Sequence, residues 1–202
     1  SHISGDHPLY LNDIQSLQSV WIEDCDIEYV PDLFGCTDLR LLYIKDCDLS
    51  RDRLDCIPIT DVDLCRLDGL TITRCNLEGR VPDWLSICVQ LRNIDLSSNR
   101  LSGDIPQSIG QLTNLQYLDL SNNRLTGGLE SIQNMSSLCS LKLSHNLLEG
   151  SIPDTLLNSN SILEEVQLQD NRLTSLPDIQ TKSTRRVVAD STIKYKHKYW
   201  TV

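Results

Sequence analysis

The chain has 202 residues, with 18 basic against 28 acidic side chains and a formal net charge of −10. That balance argues against nucleic acid as a main partner, because phosphate binding needs a clustered cationic surface. No apolar run approaches the roughly 18 residues of a membrane span, and with 40 % hydrophobic but only 5 % aromatic residues the core must be aliphatic.

Residues 1–13 precede any periodic pattern and read as an N-terminal cap. A repeating frame then begins. Its first three units are Val20-Trp-Ile22-Glu-Asp-Cys25-Asp-Ile27, Leu42-Tyr-Ile44-Lys-Asp-Cys47-Asp-Leu49 and Leu70-Thr-Ile72-Thr-Arg-Cys75-Asn-Leu77. Four more carry Asn in the Cys place: Ile94-Asp-Leu96-Ser-Ser-Asn99, Leu118-Asp-Leu120-Ser-Asn-Asn123, Leu141-Lys-Leu143-Ser-His-Asn146 and Val166-Gln-Leu168-Gln-Asp-Asn171. The reference positions 25, 47, 75, 99, 123, 146 and 171 are spaced by 22, 28, 24, 24, 23 and 25 residues. Six prolines follow an aliphatic residue, at Pro31, Pro58, Pro82, Pro106, Pro153 and Pro177, and all but Pro58 keep step with the frame.

These motifs resemble the leucine-rich repeat family, in its plant-type subclass with L-x-x-L-x-L-x-x-N-x-L-x-G-x-I-P. Leu91 to Pro106 and Leu115 to Gly127 come nearest, and the likeness covers roughly residues 14–180. Departures are the three cysteines in the Asn place, Glu130 where Pro is expected, and an insertion around Cys56 and Cys65. The resemblance implies an α/β leucine-rich repeat solenoid of about seven repeats, with a parallel concave β-sheet and short 3₁₀ or β segments on the convex side. It also implies a non-catalytic protein- or peptide-recognition module, such as a cell-surface receptor ectodomain or secreted binding protein; a structural scaffold subunit of a larger assembly is the alternative. The compartment it favours is extracellular or cell-surface, whereas many core thiols fit a reducing, intracellular setting.

The repeat has its own physics. L-x-L alternates with period two, so each unit supplies a short strand with its leucines inward. One strand per 24 residues has no local partner and must stack on its neighbours. The Asn after each strand has donors and an acceptor for the backbone of adjacent units, and Asn99, Asn123, Asn146 and Asn171 are expected to form a ladder. Cys25, Cys47 and Cys75 fill the same volume but bond weakly, so packing should hold the N-terminal end. Cys36 and Cys88 take the convex core position of Leu112. Buried thiols acting as small hydrophobes are one reading of the eight cysteines; a Cys56–Cys65 bridge is the best disulfide pairing, and Cys139, on an outward position, is the expected exposed thiol. No C-x₂₋₄-C pair exists, so no metal site is expected.

The four histidines, His2, His7, His145 and His197, show no H-E-x-x-H spacing, and no phosphate-binding glycine loop or G-x-S-x-G elbow is present. Neither catalysis nor a cofactor is expected. Asp95 and Asp119 fall on adjacent strands, a position where the subclass commonly carries Asp. Recognition would then use the outward strand positions. Trp21 and Tyr43 break an otherwise small and polar surface, and with Lys45 and Arg74, ringed by Asp24 and Asp46, they form the candidate binding patch. The competing reading has residues 1–13 covering Trp21. Tyr117 is a further candidate, and Asn134-Met-Ser136 is a glycosylation sequon on the convex turn.

Residues 181–202 hold six basic side chains against one acidic. Ile193 to Tyr199 alternates lysine with Tyr and His, which reads as a strand. It is expected either to cap the sheet edge or to dock an acidic partner through residues 182–198.

Overall fold

The computed structural model describes residues 11, 14–33, 35–56, 65–158, 162–177, 186–190 and 194–195. The N-terminal cap read at 1–13 therefore lies, apart from Leu11, outside the described residues.

Each L-x-L segment is a strand. β1 (Ser19–Glu23), β2 (Leu41–Lys45), β3 (Gly69–Thr73) and β4 (Asn93–Asp95) are successive rungs. From there a flank strand alternates with each rung: β5 (Ser102–Asp104), then rung β6 (Tyr117–Asp119), β7 (Arg124–Thr126), rung β8 (Ser140–Lys142) and β9 (Glu149–Ser151). Rung β10 (Glu165–Gln167), β11 (Arg172–Leu176), rung β12 (Arg186–Val188) and β13 (Lys194–Tyr195) complete the series. The rungs form one parallel sheet in the order β1-β2-β3-β4-β6-β8-β10-β12. On the flank, β5 pairs β7, and β11 lies between β9 and β13. The fold is a coil of stacked rungs, an α/β solenoid.

The seven repeats seen in the sequence become eight rungs among the described residues. β12 has no reference Asn, yet it pairs with β10 in register, Val166 opposite Val187. Part of the basic tail thus continues the concave sheet. Of the stretch 193–199 only β13 is described, and it sits on the flank beside β11.

Inward leucines pack between sheet and convex side: Leu42, Leu70, Leu96, Leu118, Leu141 and Leu168 are all essentially inaccessible to solvent. The return path is made of short turns after extended prolines, over Asp83–Ile87 behind Pro82 and Gln107–Gln111 behind Pro106. Glu130, lacking the proline, opens a segment of only three residues, Glu130–Ile132. One return segment, α1 (Asp154–Asn158), is α-helical rather than 3₁₀.

The ladder forms as expected. The Asn99 amide donates to the Ile72 and Leu96 carbonyls at 2.7 and 3.1 Å, and its oxygen accepts the Cys75 and Leu77 N–H groups, both at 3.1 Å. Asn123, Asn146 and Asn171 repeat this, accepting from Leu101, Leu125 and Leu148, each at 3.0 Å. Every amide so placed satisfies backbone groups of two rungs, which burial would otherwise strand. The cysteine rungs do less. Cys25 and Cys47 donate to the carbonyls of Glu23 and Lys45 on their own strands, at 3.2 and 3.4 Å. Cys75 reaches back a rung to Ile44, but at 3.8 Å.

The disulfide differs from the pairing read in the sequence. Cys65 bonds Cys88, not Cys56, with Cα atoms 4.7 Å apart. The two are 23 residues apart, close to one period, so stacking sets them side by side. The remaining cysteines among the described residues are free, and the exposed one is Cys56 rather than the half-buried Cys139. Cys139 donates its thiol to the Ser137 carbonyl. Cys36 and Cys88 are buried in the convex core as Leu112 is.

Candidate functional site

Strand alternation turns one side chain in two toward the concave side, and in-register pairing lines these into columns. The central column runs Trp21, Tyr43, Thr71, Asp95, Asp119, Lys142, Gln167, Val188. Beside it runs Glu23, Lys45 and Thr73 on the first three rungs. A residue with positive φ then ends each rung and turns the chain sharply: Asp24, Asp46, Arg74, Ser98, Asn122, His145 and Asp170. These conformations cost side chains other than Asn and Asp some strain.

Trp21 and Tyr43 stack, with ring centroids 4.0 Å apart and planes 22° from parallel. Trp21 remains 63 % exposed, far above any other tryptophan or tyrosine position described on this face. Such a pair contributes about 0.5–1.5 kcal/mol beyond area burial, yet most of the indole surface stays in water. The structure brings Lys45, Arg74 and Asp46 to the rim of this platform but binds them to one another. Lys45 pairs with Glu23 and lies 3.8 Å from Asp46. The Arg74 guanidinium grips the Asp46 carboxylate in a two-pronged bond. That bond holds the Asp46 carboxyl below its ordinary range and Arg74 above its own, while Glu23 holds Lys45 up. Asp24 is exposed at the end of β1.

The second centre on the face is made by Asp95 and Asp119, directly opposite one another across β4 and β6. Asp119 is buried; one oxygen accepts the Ser121 N–H and hydroxyl at 2.9 and 2.6 Å, and the other accepts the Tyr117 hydroxyl at 3.0 Å. Asp95 accepts the Ser97 N–H at 3.0 Å. Burial pushes the Asp95 carboxyl up, with the Asp119 charge adding to it, and raises the Tyr117 phenol likewise. The Lys142 ammonium sits 5.4 Å from the centre of the Tyr117 ring and 3.7 Å from Glu165. Glu165 also meets Arg186, at 3.8 Å. Tyr117, a candidate from the sequence alone, thus belongs to the carboxylate centre and is half-buried rather than free. The Asp pair itself was legible as a column position, but its burial was not.

Asn134 is exposed on a convex turn, away from the concave columns. Below the face, the thiols of Cys47 and Cys75 interact, which lowers Cys47 and raises Cys75. No group of three or more metal-ligating side chains gathers among the described residues.

A family model described as leucine rich repeat matches residues 65–125, and another of the same description matches 137–159. No curated protein matches the chain. Solved structures similar to it include the BIR2 ectodomain from Arabidopsis thaliana, at 37 % identity over 56 % of this chain and 60 % of that one, TM-score 0.53. A chain of the BIR3–SERK2 complex from Arabidopsis thaliana is 32 % identical over 64 % and 70 %, TM-score 0.55. The Arabidopsis receptor kinase HAESA ectodomain, solved with an N-terminally extended IDA peptide hormone, is 32 % identical over 79 % and 26 %, TM-score 0.65. The chain therefore spans 60 % of the first of these ectodomains and 26 % of the last.

Proposed function

The chain belongs to the plant-type leucine-rich repeat family, and on that footing we propose that it is a non-catalytic module that recognises a peptide or protein on its concave sheet. The observation that carries this reading is the Trp21–Tyr43 platform, stacked on the first two rungs of that sheet with Trp21 largely in water. Exposed aromatic anchors of this kind dominate interface energetics. Ectodomains similar to this chain, such as HAESA, were solved with peptide hormones bound, which supports a peptide as the class of ligand. Trp21 and Tyr43 are the anchors, with Lys45, Asp46 and Arg74 as a pre-organised polar rim, Asp24 at its edge, and Tyr117 further along the face. The Asn, Cys and Leu positions below are scaffold.

The proposed setting is the cell surface or the extracellular space, in a receptor ectodomain or a secreted binding protein. The Cys65–Cys88 disulfide supports an oxidising compartment, and Asn134 is exposed where a glycan would leave the concave sheet free.

Site-specific photo-crosslinking tests the recognition face. A benzophenone amino acid at position 43 should give adducts with a partner from the source tissue that the same probe at convex position 111 does not. Those adducts should be lost on Trp21→Ala. Adducts from position 111 alone would overturn the reading.

A further inference from the structure

The concave face concentrates its aromatic surface and its unbalanced charge at two separate places, and the sheet fixes the distance between them. The aromatic platform straddles β1 and β2. The carboxylate pair straddles β4 and β6, which are neighbours in the sheet. Between lies β3, whose outward Thr71 and Thr73 are short and mostly covered. The floor is therefore low in the middle, with walls of different chemistry at each end.

Charge complementarity points to what fits there. Around the platform, Glu23, Lys45, Asp46 and Arg74 neutralise one another in pairs. At the far end, Lys142 and Arg186 are both drawn to Glu165. Asp95 and Asp119 have no cation at ion-pair distance among the described residues. They face each other across the strands, an arrangement that is unfavourable for like charges. Lys142, beside Asp119 on the next rung, eases the Asp95 charge from a distance but is ion-paired with Glu165; a cation placed between the two carboxylates would relieve the repulsion directly.

Geometry then sets the ligand's spacing. From the midpoint of the platform to the midpoint of the carboxylate pair is three inter-strand steps, about 14 Å at the roughly 4.8 Å spacing of a sheet. An extended peptide laid across the strands advances about 3.4 Å per residue, so the two points are about four residues apart. Four is also an even number, and side chains of an extended chain alternate, so residues i and i+4 face the same way. A spacing of three or five would turn one anchor away from the sheet. Residue i+2 falls over Thr71, where a small side chain has room.

We propose that the concave face reads an extended segment of a partner with an aromatic or large apolar residue at one position and Lys or Arg four residues away. The first stacks on Trp21 and Tyr43, and the second enters between Asp95 and Asp119. This rests on the concave sheet being the docking face, as argued above, and adds the chemistry and spacing of what docks.

The probes are labelled Ala/Ser peptides carrying one Phe and one Lys set three, four or five residues apart, and a four-apart peptide with Glu in place of Lys. Binding is read by fluorescence anisotropy with the full chain. The four-apart Phe/Lys peptide should bind at least tenfold more tightly than the other three. Asp95→Asn and Trp21→Ala should each reduce that binding at least fivefold; Tyr43→Ala is a second variant at the platform, and circular dichroism checks that all variants fold. Equal affinity across the spacings, tolerance of Glu, or no binding of the four-apart peptide overturns the rule. Binding that depends on Trp21 but not on spacing or Lys overturns the rule and leaves the concave docking face standing. Binding indifferent to Trp21→Ala and Tyr43→Ala overturns both.

Discussion

At Asp95, a half-buried carboxylate is held opposite a buried one, and burial first, then the Asp119 charge, raises its pKa. The folded state therefore binds the Asp95 proton more tightly than the unfolded chain does. The resulting penalty is absent at low pH, sets in as pH rises through the ordinary aspartate pKa near 3.9, and is complete above the raised folded-state value. Asp95→Asn keeps the acceptor for the Ser97 N–H and removes the charge. It should stabilise the fold by roughly 0.5–1 kcal/mol at pH 7, with the gain vanishing below about pH 3.5. Chemical denaturation at the two pH values measures this, and an equal effect at both would disprove the charge argument. Asn123 illustrates the opposite kind of residue. Its amide serves the Leu96 and Leu120 carbonyls and its oxygen the Leu101 N–H. Asn123→Ala strands those groups and should cost about 2–3 kcal/mol, seen as a lower denaturation midpoint. Recurrence in the sequence foretold the ladder asparagines, because one inward amide per rung has few other uses. The pairing of Arg74 with Asp46 was not foretold, since which exposed charges meet depends on rotamers that periodicity does not encode.

Rungs follow from pattern, while the links between them do not. Alternating aliphatic residues placed the seven rungs from β1 to β10 where the repeat frame put them, because each rung can hide its apolar side only by stacking. β12 escaped the frame: Arg186, Val187 and Val188 carry no reference Asn, and the strand forms because the exposed edge of β10 offers unpaired backbone groups. The disulfide departs from the expected pairing for a related reason. Cys56 and Cys65 are near in sequence and share the irregular unit, but in a stacked coil, residues one period apart are the spatial neighbours. Cys65 also lies one place past the frame position that Cys88 holds, which hid the match. Closing a loop of 23 residues should contribute about 3 kcal/mol through the unfolded chain. Cys65→Ala should remove that amount, measured as a fall in the urea midpoint, whereas Cys56→Ala, at an exposed free thiol, should leave the midpoint within about 0.5 kcal/mol of the parent. A similar loss from both variants would contradict the assigned pairing.

Across the whole molecule, each rung contacts mainly its neighbours, so stability is close to a sum of rung and interface contributions and opening can begin at either end. The interfaces are unequal. From β4 onward an amide locks each pair of rungs, while β1 to β3 rely on packing and weak thiol bonds. Native-state hydrogen exchange should find the amides of β1 and β2 less protected than those of β6 and β8 by at least tenfold, or about 1.4 kcal/mol of local opening free energy; uniform protection would contradict this. The coil, its sheet and its concave face were readable from leucine and asparagine spacing, but this gradient was not, because it depends on how well a thiol replaces an amide at 3.8 Å instead of 2.7 Å. The Cys65–Cys88 crosslink sits where the two regimes meet, tying the last cysteine rung to the first asparagine rung. Fraying that starts at the aromatic end is therefore arrested at that covalent stop. The two rungs bearing Trp21 and Tyr43 can thus open without unwinding the remainder of the coil.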